Sequence, residues 1–292
     1  MISQFAVNAF IASSTYVLLG LGFALVYRAA RFFHFAHGAV FASGPYLLLI
    51  FVQCAGVSWP ASVVLSVACV CVLGCAMEVM AYGPIRRAHS SPIVLALASL
   101  GIYVVLQNVI SLIFGDDTKS IRTGVVREGI NVLGARITPI QITTICVSIV
   151  LVVGLALFLR YAKLGRAMRA VANDPELANL SGIDSDRVIL WAFAIGSALA
   201  GIAGILVALD VDMTPTMGMN ALMMGVVAVI IGGVSSIPGI ALGALLLGMA
   251  QQFGVWWISS QWQDAIAFII LLVFLLFRPQ GFMGRKVKKA VV

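Results

Sequence analysis

Charge is what this sequence has least of. Only 10% of its 292 residues are Asp, Glu, Lys or Arg, and 62% are hydrophobic. A soluble domain carries about 25% charged residues. So few charges cannot cover a compact globule of this size with a wetted surface, which excludes an ordinary soluble enzyme. The apolar–polar alternation in segments of about ten residues that marks a membrane β-barrel is also missing. No stretch is long and polar enough for a second domain, so residues 1–292 read as a single transmembrane domain.

Other absences narrow the chemistry. There is no G-x-x-x-x-G-K-[ST], so the chain has no P-loop for ATP. There are three His and five Cys, with no C-x-x-C pair. The cysteines (Cys54, Cys69, Cys71, Cys75, Cys146) sit within or beside apolar runs and read as small buried hydrophobes. His34 and His37 are three apart, but two His without a third ligand make a poor zinc site, and no metal is expected. No nucleophile elbow or paired carboxylates appear. No basic stretch precedes the first apolar run, so residues 5–27 read as a membrane helix rather than a cleaved signal.

What is present is a series of apolar runs near 20 residues, the length a helix needs to cross roughly 30 Å of hydrocarbon. Nine helices are predicted, at about 5–27, 37–56, 60–83, 93–114, 139–159, 188–209, 219–234, 238–258 and 262–277. The expected fold is all-α, a polytopic bundle with eight or nine membrane helices. The seventh run is short and ends in Gly232-Gly233, as a half-helix or re-entrant segment would. Ser197-x-x-x-Gly201, Ala200-x-x-x-Gly204 and Gly239-x-x-x-Gly243 suit close helix packing.

Lys and Arg give the orientation. Fourteen of the 18 fall in one set of loops: Arg28, Arg31, Arg86, Arg87, Arg160, Lys163, Arg166, Arg169, Arg187, Arg278, Arg285, Lys286, Lys288 and Lys289. Lys119, Arg122, Arg127 and Arg136 lie opposite, offset by Asp116, Asp117 and Glu128. The positive-inside rule puts the larger set in the cytoplasm, with the N-terminus outside and the C-terminus inside. Residues 115–138 then form an external loop and residues 160–187 a cytoplasmic one.

The cytoplasmic loop reads as two short helices. The first stops at Asn173-Asp174. Asp174 is a good N-cap for the second, Pro175 suits the first helical position, and Glu176 faces the positive end of the dipole. Leu177, Ala178 and Leu180 offer an apolar patch, and Gly182 suits the position after the helix. Asp184 starts the next helix. This short element is either a plain surface connector or a rigid knob that docks on another protein.

Glu78 is the only acid well inside a membrane run, and intramembrane ionisable groups are functional candidates. It lies within reach of Arg86 or Arg87, as a structural ion pair or as a gate. Asp210, Asp212 and Asp264 are placed at external helix ends, as solvated caps or as contacts for a substrate-delivering protein.

Residues 165–188, GRAMRAVANDPELANLSGIDSDRV, resemble the cytoplasmic loop of LivH-type permeases, the branched-chain amino acid members of the ATP-binding-cassette importers. Phe35-Ala36-His37-Gly38 is similar to that family's N-F-A-H-G motif, with His34 in place of Asn. Gly232-Gly233-Val234-Ser235-Ser236-Ile237-Pro238-Gly239 resembles its G-G-x-G-S-I-P-G segment, with Ser235 where Gly is common. Arg278-Pro279-Gln280-Gly281-Phe282-Met283-Gly284 resembles its R-P-x-G-L-x-G tail. The four segments occur in order and span nearly the whole chain.

The resemblance implies a non-enzymatic transport subunit in a bacterial inner membrane. It implies that residues from Arg166 and Arg169 through Gly182 couple the chain to ATPases, and it hints that Phe35, His37, Gly38, Gly232 and Gly233 lie near the translocation path. The implied partners are a second, related permease subunit, two cytoplasmic ATPase subunits that hold the ATP and Mg, a periplasmic binding protein and the bilayer, with no nucleic acid and no cofactor on this chain. The implied cargo is a branched-chain or related amino acid; urea, short amides and aromatic acids are alternatives within the family. An ion-coupled secondary transporter is the alternative outside it.

Overall fold

Six of the nine prolines stand in the first turn of a helix, where a missing N–H leaves nothing unsatisfied. The computed structural model describes residues 2–122, 129–132 and 134–284. Arg127, Glu128, Arg285, Lys286, Lys288 and Lys289, whose charges entered the orientation argument, lie outside the described residues.

The chain opens with α1 (Ile2–Ala30) and α2 (Ala36–Leu49), the latter continued by a π turn, Ile50–Cys54. Helix α3 (Trp59–Met77) runs through a second π turn, Glu78–Tyr82, into α4 (Gly83–Arg87). Then come α5 (Pro92–Phe114), a small antiparallel hairpin of β1 (Ile130–Val132) and β2 (Ala135–Ile137), and α6 (Pro139–Tyr161). Two short helices follow, α7 (Lys163–Asn173) and α8 (Pro175–Leu180). The rest is α9 (Ser185–Asp210), α10 (Met217–Gly232), α11 (Ile237–Trp257) and α12 (Gln263–Phe277). Among the described residues, eight helices are long and apolar enough to cross a membrane. Helix α10 has 16 residues, about 24 Å at 1.5 Å each, and falls short. These nine apolar helices match the nine runs expected from the sequence within a few residues.

Helix α1 occupies the centre, packed on α6, α9, α10 and α11. Helices α3, α5, α6 and α12 carry most of the outward apolar side chains, as a lipid-facing ring would. The central helices cross at glycines. Helix α1 meets α10 at Gly20 and Gly225 and α9 at Gly22 and Gly196; α2 meets α10 at Gly38 and Gly218 and α9 at Gly44 and Gly201. A β-carbon on the first glycine of each pair would come within 3 Å of the facing carbonyl oxygen. Pro45 lies inside α2, so the Phe41 carbonyl has no N–H to receive there; Gly204 of α9 packs directly against that oxygen.

Helix α10 ends at Gly232, with Gly233 at φ +94°. Its last carbonyls are capped from far away in sequence. Phe282 N–H donates to Ile231 O at 2.8 Å and Met283 N–H to Gly232 O at 3.2 Å. The segment after α12 therefore completes α10.

Candidate functional site

The loop between α6 and α9 is built as two braced helices. Helix α7 is amphipathic, with Gly165, Met168 and Val171 turned inward and Arg166 and Arg169 exposed. Gly165 sits so close to the end of α6 that a β-carbon would lie 2.3 Å from Phe158 O. Arg31, at the end of α1, donates through Nη2 to Asn173 O at 2.6 Å and to Ala172 O at 3.3 Å, capping α7.

Helix α8 starts as its residues dictate. Asp174 Oδ1 accepts from the N–H groups of Glu176 and Leu177, both at 3.0 Å, and Pro175 takes the first turn. The far end is a Schellman motif: Gly182, at φ +82°, donates to Asn179 O, and Ile183 N–H to Ala178 O. Ser185 of α9 staples the turn, its N–H donating to Asn179 Oδ1 and its hydroxyl to Pro175 O. Ala178 is buried, whereas Leu177 is 61% and Leu180 87% exposed. The result is a fixed projection with two apolar side chains at its surface.

An ion-pair cluster lies beside it. Buried Glu78, in the π turn, pairs with Arg86. Arg86 also reaches Asp186 at 3.3 Å, and Arg87 meets Asp186 at 2.9 Å. Asp186 belongs to the first turn of α9, directly after the loop. The expected Glu78–Arg86 pair is thus formed, and its extension to Asp186 was missed by the sequence reading.

Ala36, His37 and Gly38 are buried and Phe35 is partly so. Phe35 N–H donates to Ser99 Oγ at 3.0 Å, and His37 is fully buried with its ring against Gly22. His34 is also buried, among Tyr82, Phe193 and His37, with the two imidazole centroids 5.7 Å apart. Among the described residues no group of three or more His, Cys, Asp or Glu is placed to hold a metal. Gly232 packs against the first turn of α11 at Gly239. None of Phe35, His37, Gly38, Gly232 and Gly233 lines either of two cavities that the described residues enclose.

Those cavities lie at opposite ends of the bundle. One, of about 530 Å³, is walled by α1, α6, α9, α10 and α11; Asn8, Tyr16, Gln141, Asp210, Asn220 and Gln252 are among its polar residues. The other, of about 560 Å³, is bordered by Arg28, Arg160, Arg169, Asn173, Ser236 and Pro238, next to α7. Sequence reading placed Asp210 at an external helix end, as a solvated cap or a contact for a substrate-delivering protein, and not in a cavity. Its neighbour Asp212 pairs with Arg122 at 3.0 Å, and the guanidinium together with the Ser120 hydroxyl holds the Asp212 carboxyl below its usual range.

Comparison with known proteins agrees with this architecture. The sequence profile described as "Branched-chain amino acid transport system / permease component" matches residues 5–275. The high-affinity branched-chain amino acid transport system permease protein BraD of Pseudomonas aeruginosa is 34% identical, covering 97% of this chain and 95% of that protein. LivH of Escherichia coli, described in the same words, is 32% identical over 95% of this chain and 94% of its own length. Among solved structures, PsaBC from Streptococcus pneumoniae in complex with Fab superposes with a TM-score of 0.54 at 11% identity, covering 95% of this chain and 92% of that one.

Proposed function

This chain belongs to the family of branched-chain amino acid transport system permease components, and on that premise we propose that it is the membrane-spanning subunit of an ATP-binding-cassette importer for branched-chain or related amino acids. In this reading it sits in a bacterial inner membrane beside a second, related permease subunit. Two ATPase subunits, which hold the ATP and Mg, dock on the cytoplasmic face, and a periplasmic binding protein delivers the cargo. The end of the bundle that carries α7 and α8 is cytoplasmic; the opposite end, with the start of α1, faces outward.

The observation that carries this reading is α8. A six-residue helix capped at both ends and stapled to α9 has the rigidity of a docking element, and Leu177 and Leu180 give it an apolar tip. Force on that tip reaches α9 through Ser185 and reaches α3 through Asp186, Arg86 and Glu78. On this reading Phe35, His37, Gly38, Gly232 and Gly233 work from behind the pathway wall, setting how closely α2, α10 and α11 pack. An ion-coupled transporter would place several ionisable groups near the midplane; here Glu78 is already engaged by Arg86.

The test is co-purification of the chain with its ATPase, followed by ATP-dependent uptake in reconstituted vesicles. Glu176→Lys reverses the charge at the start of α8, and Gly182→Trp puts a large side chain at a positive φ. Each should weaken both readouts. Normal assembly and uptake in both variants would sink the docking role, and uptake by this chain alone on a proton gradient would replace the reading.

A further inference from the structure

The cavity at the end opposite α8 has a composition that selects its ligand. Asn8 comes from the start of α1, Gln141 from the start of α6, Asp210 from the end of α9, Asn220 from the start of α10 and Gln252 from late in α11. All five helix ends lie on the side away from the α7–α8 loop. Among the described lining residues no Lys, Arg or His appears; Asp210 is the one charge. Among the described residues, its Oδ2 receives one long, 3.5 Å hydrogen bond, from Gln141 Nε2. Arg122 acts on Asp210 electrostatically, but its guanidinium is committed to Asp212. Phe41, Leu206 and Met224 add apolar lining.

We infer that this cavity is the binding site for the cargo within the permease, and that Asp210 takes the cargo's ammonium group. A carboxylate in a half-enclosed apolar setting is costly unless a cation meets it. A primary ammonium donates up to three hydrogen bonds and makes the strong, charge-assisted kind with a carboxylate. The side-chain amides of Asn8, Asn220 and Gln252 can donate to the cargo's own carboxylate, and the apolar lining accepts a compact aliphatic side chain. A cavity of about 530 Å³ falls within the usual range for small-molecule sites. The site therefore favours an aliphatic amino acid over a carboxylic acid without an amine. This inference rests on reading the chain as an amino acid permease and adds to it a place and an anchoring residue.

The experiment uses the assembled permease–ATPase complex without binding protein. Cys54, Cys69, Cys71, Cys75 and Cys146 are replaced by Ala, and Ala221→Cys places a reporter in the cavity wall. The rate of alkylation by a small polar thiol reagent is measured with leucine, or with 4-methylpentanoate, up to the solubility limit. Leucine should slow alkylation and the deaminated acid should not. With protection read against each variant's own leucine-free rate, Asp210→Asn should weaken it by about tenfold or more, the loss of one charge-assisted hydrogen bond. Asp210→Glu, which keeps the charge, should retain part of the protection and separates anchoring from misfolding. Equal protection by 4-methylpentanoate, or undiminished protection in Asp210→Asn, overturns the role of Asp210. No protection in a complex that still imports leucine with ATP and binding protein overturns the site. Failure of that import, with all partners present, counts against the permease reading instead.

Discussion

The Ser148 hydroxyl donates to the main-chain carbonyl of Ser14 at 2.9 Å, joining α6 to α1 beside Thr15 and Tyr16 of the cavity at the α1-start end. Tyr16 and Thr144 border one cavity, Arg28 and Ala156 the other. About twelve residues, or roughly 18 Å of helix, separate them on both helices. Beside this seam Gly248 of α11 packs on Ser13 so closely that a β-carbon would lie 2.3 Å from its hydroxyl. If cargo passes between α1, α6 and α11, the seam must open. A Ser14→Cys, Ser148→Cys pair should stop uptake when oxidised and regain it on reduction, with the ATPase still bound. Uptake indifferent to oxidation of a demonstrably formed bridge would remove this groove from the route.

Leu177 and Leu180 are exposed, so their replacement costs the isolated permease little. Leu177→Asp with Leu180→Asp should leave its yield and Tm nearly unchanged while abolishing capture of the ATPase. Asp174→Ala should weaken capture more mildly, because losing an N-cap costs about 1 kcal/mol and frays α8 rather than removing its tip. Hydrogen exchange at the Glu176 and Leu177 amides, which Asp174 now caps, should quicken in that variant.

Glu78 and Arg86 form a pair in which the acid is buried. Removing one partner of a buried pair typically costs about 3–5 kcal/mol, because the other is left uncompensated. Glu78→Leu alone should lower thermal stability sharply. Glu78→Leu with Arg86→Leu should recover much of the loss, although Asp186 then keeps only Arg87. A double-mutant cycle on Tm reads the coupling; additive losses would mean that the pair is not formed.

Asp212 makes a pH-sensitive contact at the α1-start end. Its carboxyl titrates lower in the folded protein than in the unfolded chain because Arg122 and Ser120 hold it. The contribution is therefore complete above the unfolded value, near pH 3.9, and is lost as pH falls through the lower folded value. Being partly exposed, the pair is weak. Asp212→Asn should lower Tm slightly and evenly above about pH 4 and flatten the acid limb of a Tm-versus-pH curve, so that the two proteins converge at low pH.

Gly204→Ala tests the Pro45 device. The added methyl would fall 2.0 Å from Phe41 O, an oxygen fixed by a helix on each side. Loss of folded protein in detergent is expected, whereas Gly101→Ala, in α5 with open space around it, should be silent.

What the sequence revealed and what it hid divide by distance along the chain. The membrane helices were legible because each is a run of apolar residues, and α8 because Asp174, Pro175 and Gly182 cap it within nine positions. That Glu78 would meet Arg86 or Arg87 was legible from the short spacing; that Arg86 is the partner was not. The cavity at the α1-start end was not, since it joins side chains at 8, 141, 210, 220 and 252 that no local pattern connects. Asp186 as the third partner of Arg86 was hidden in the same way. The crossings of paired glycines could be guessed as close packing, but not which helix faced which.

The backbone bonds from Phe282 and Met283 to the last carbonyls of α10 carry an implication for biosynthesis. About fifty residues separate a helix from the segment that finishes it. During translation α10 enters the bilayer with its C-terminal carbonyls open, and α11 and α12 are made before those groups find partners. A chain interrupted between α12 and Phe282 would hold all nine apolar helices yet lack the two N–H donors that finish α10, so the last turn of α10 would distinguish an unfinished copy from a complete one.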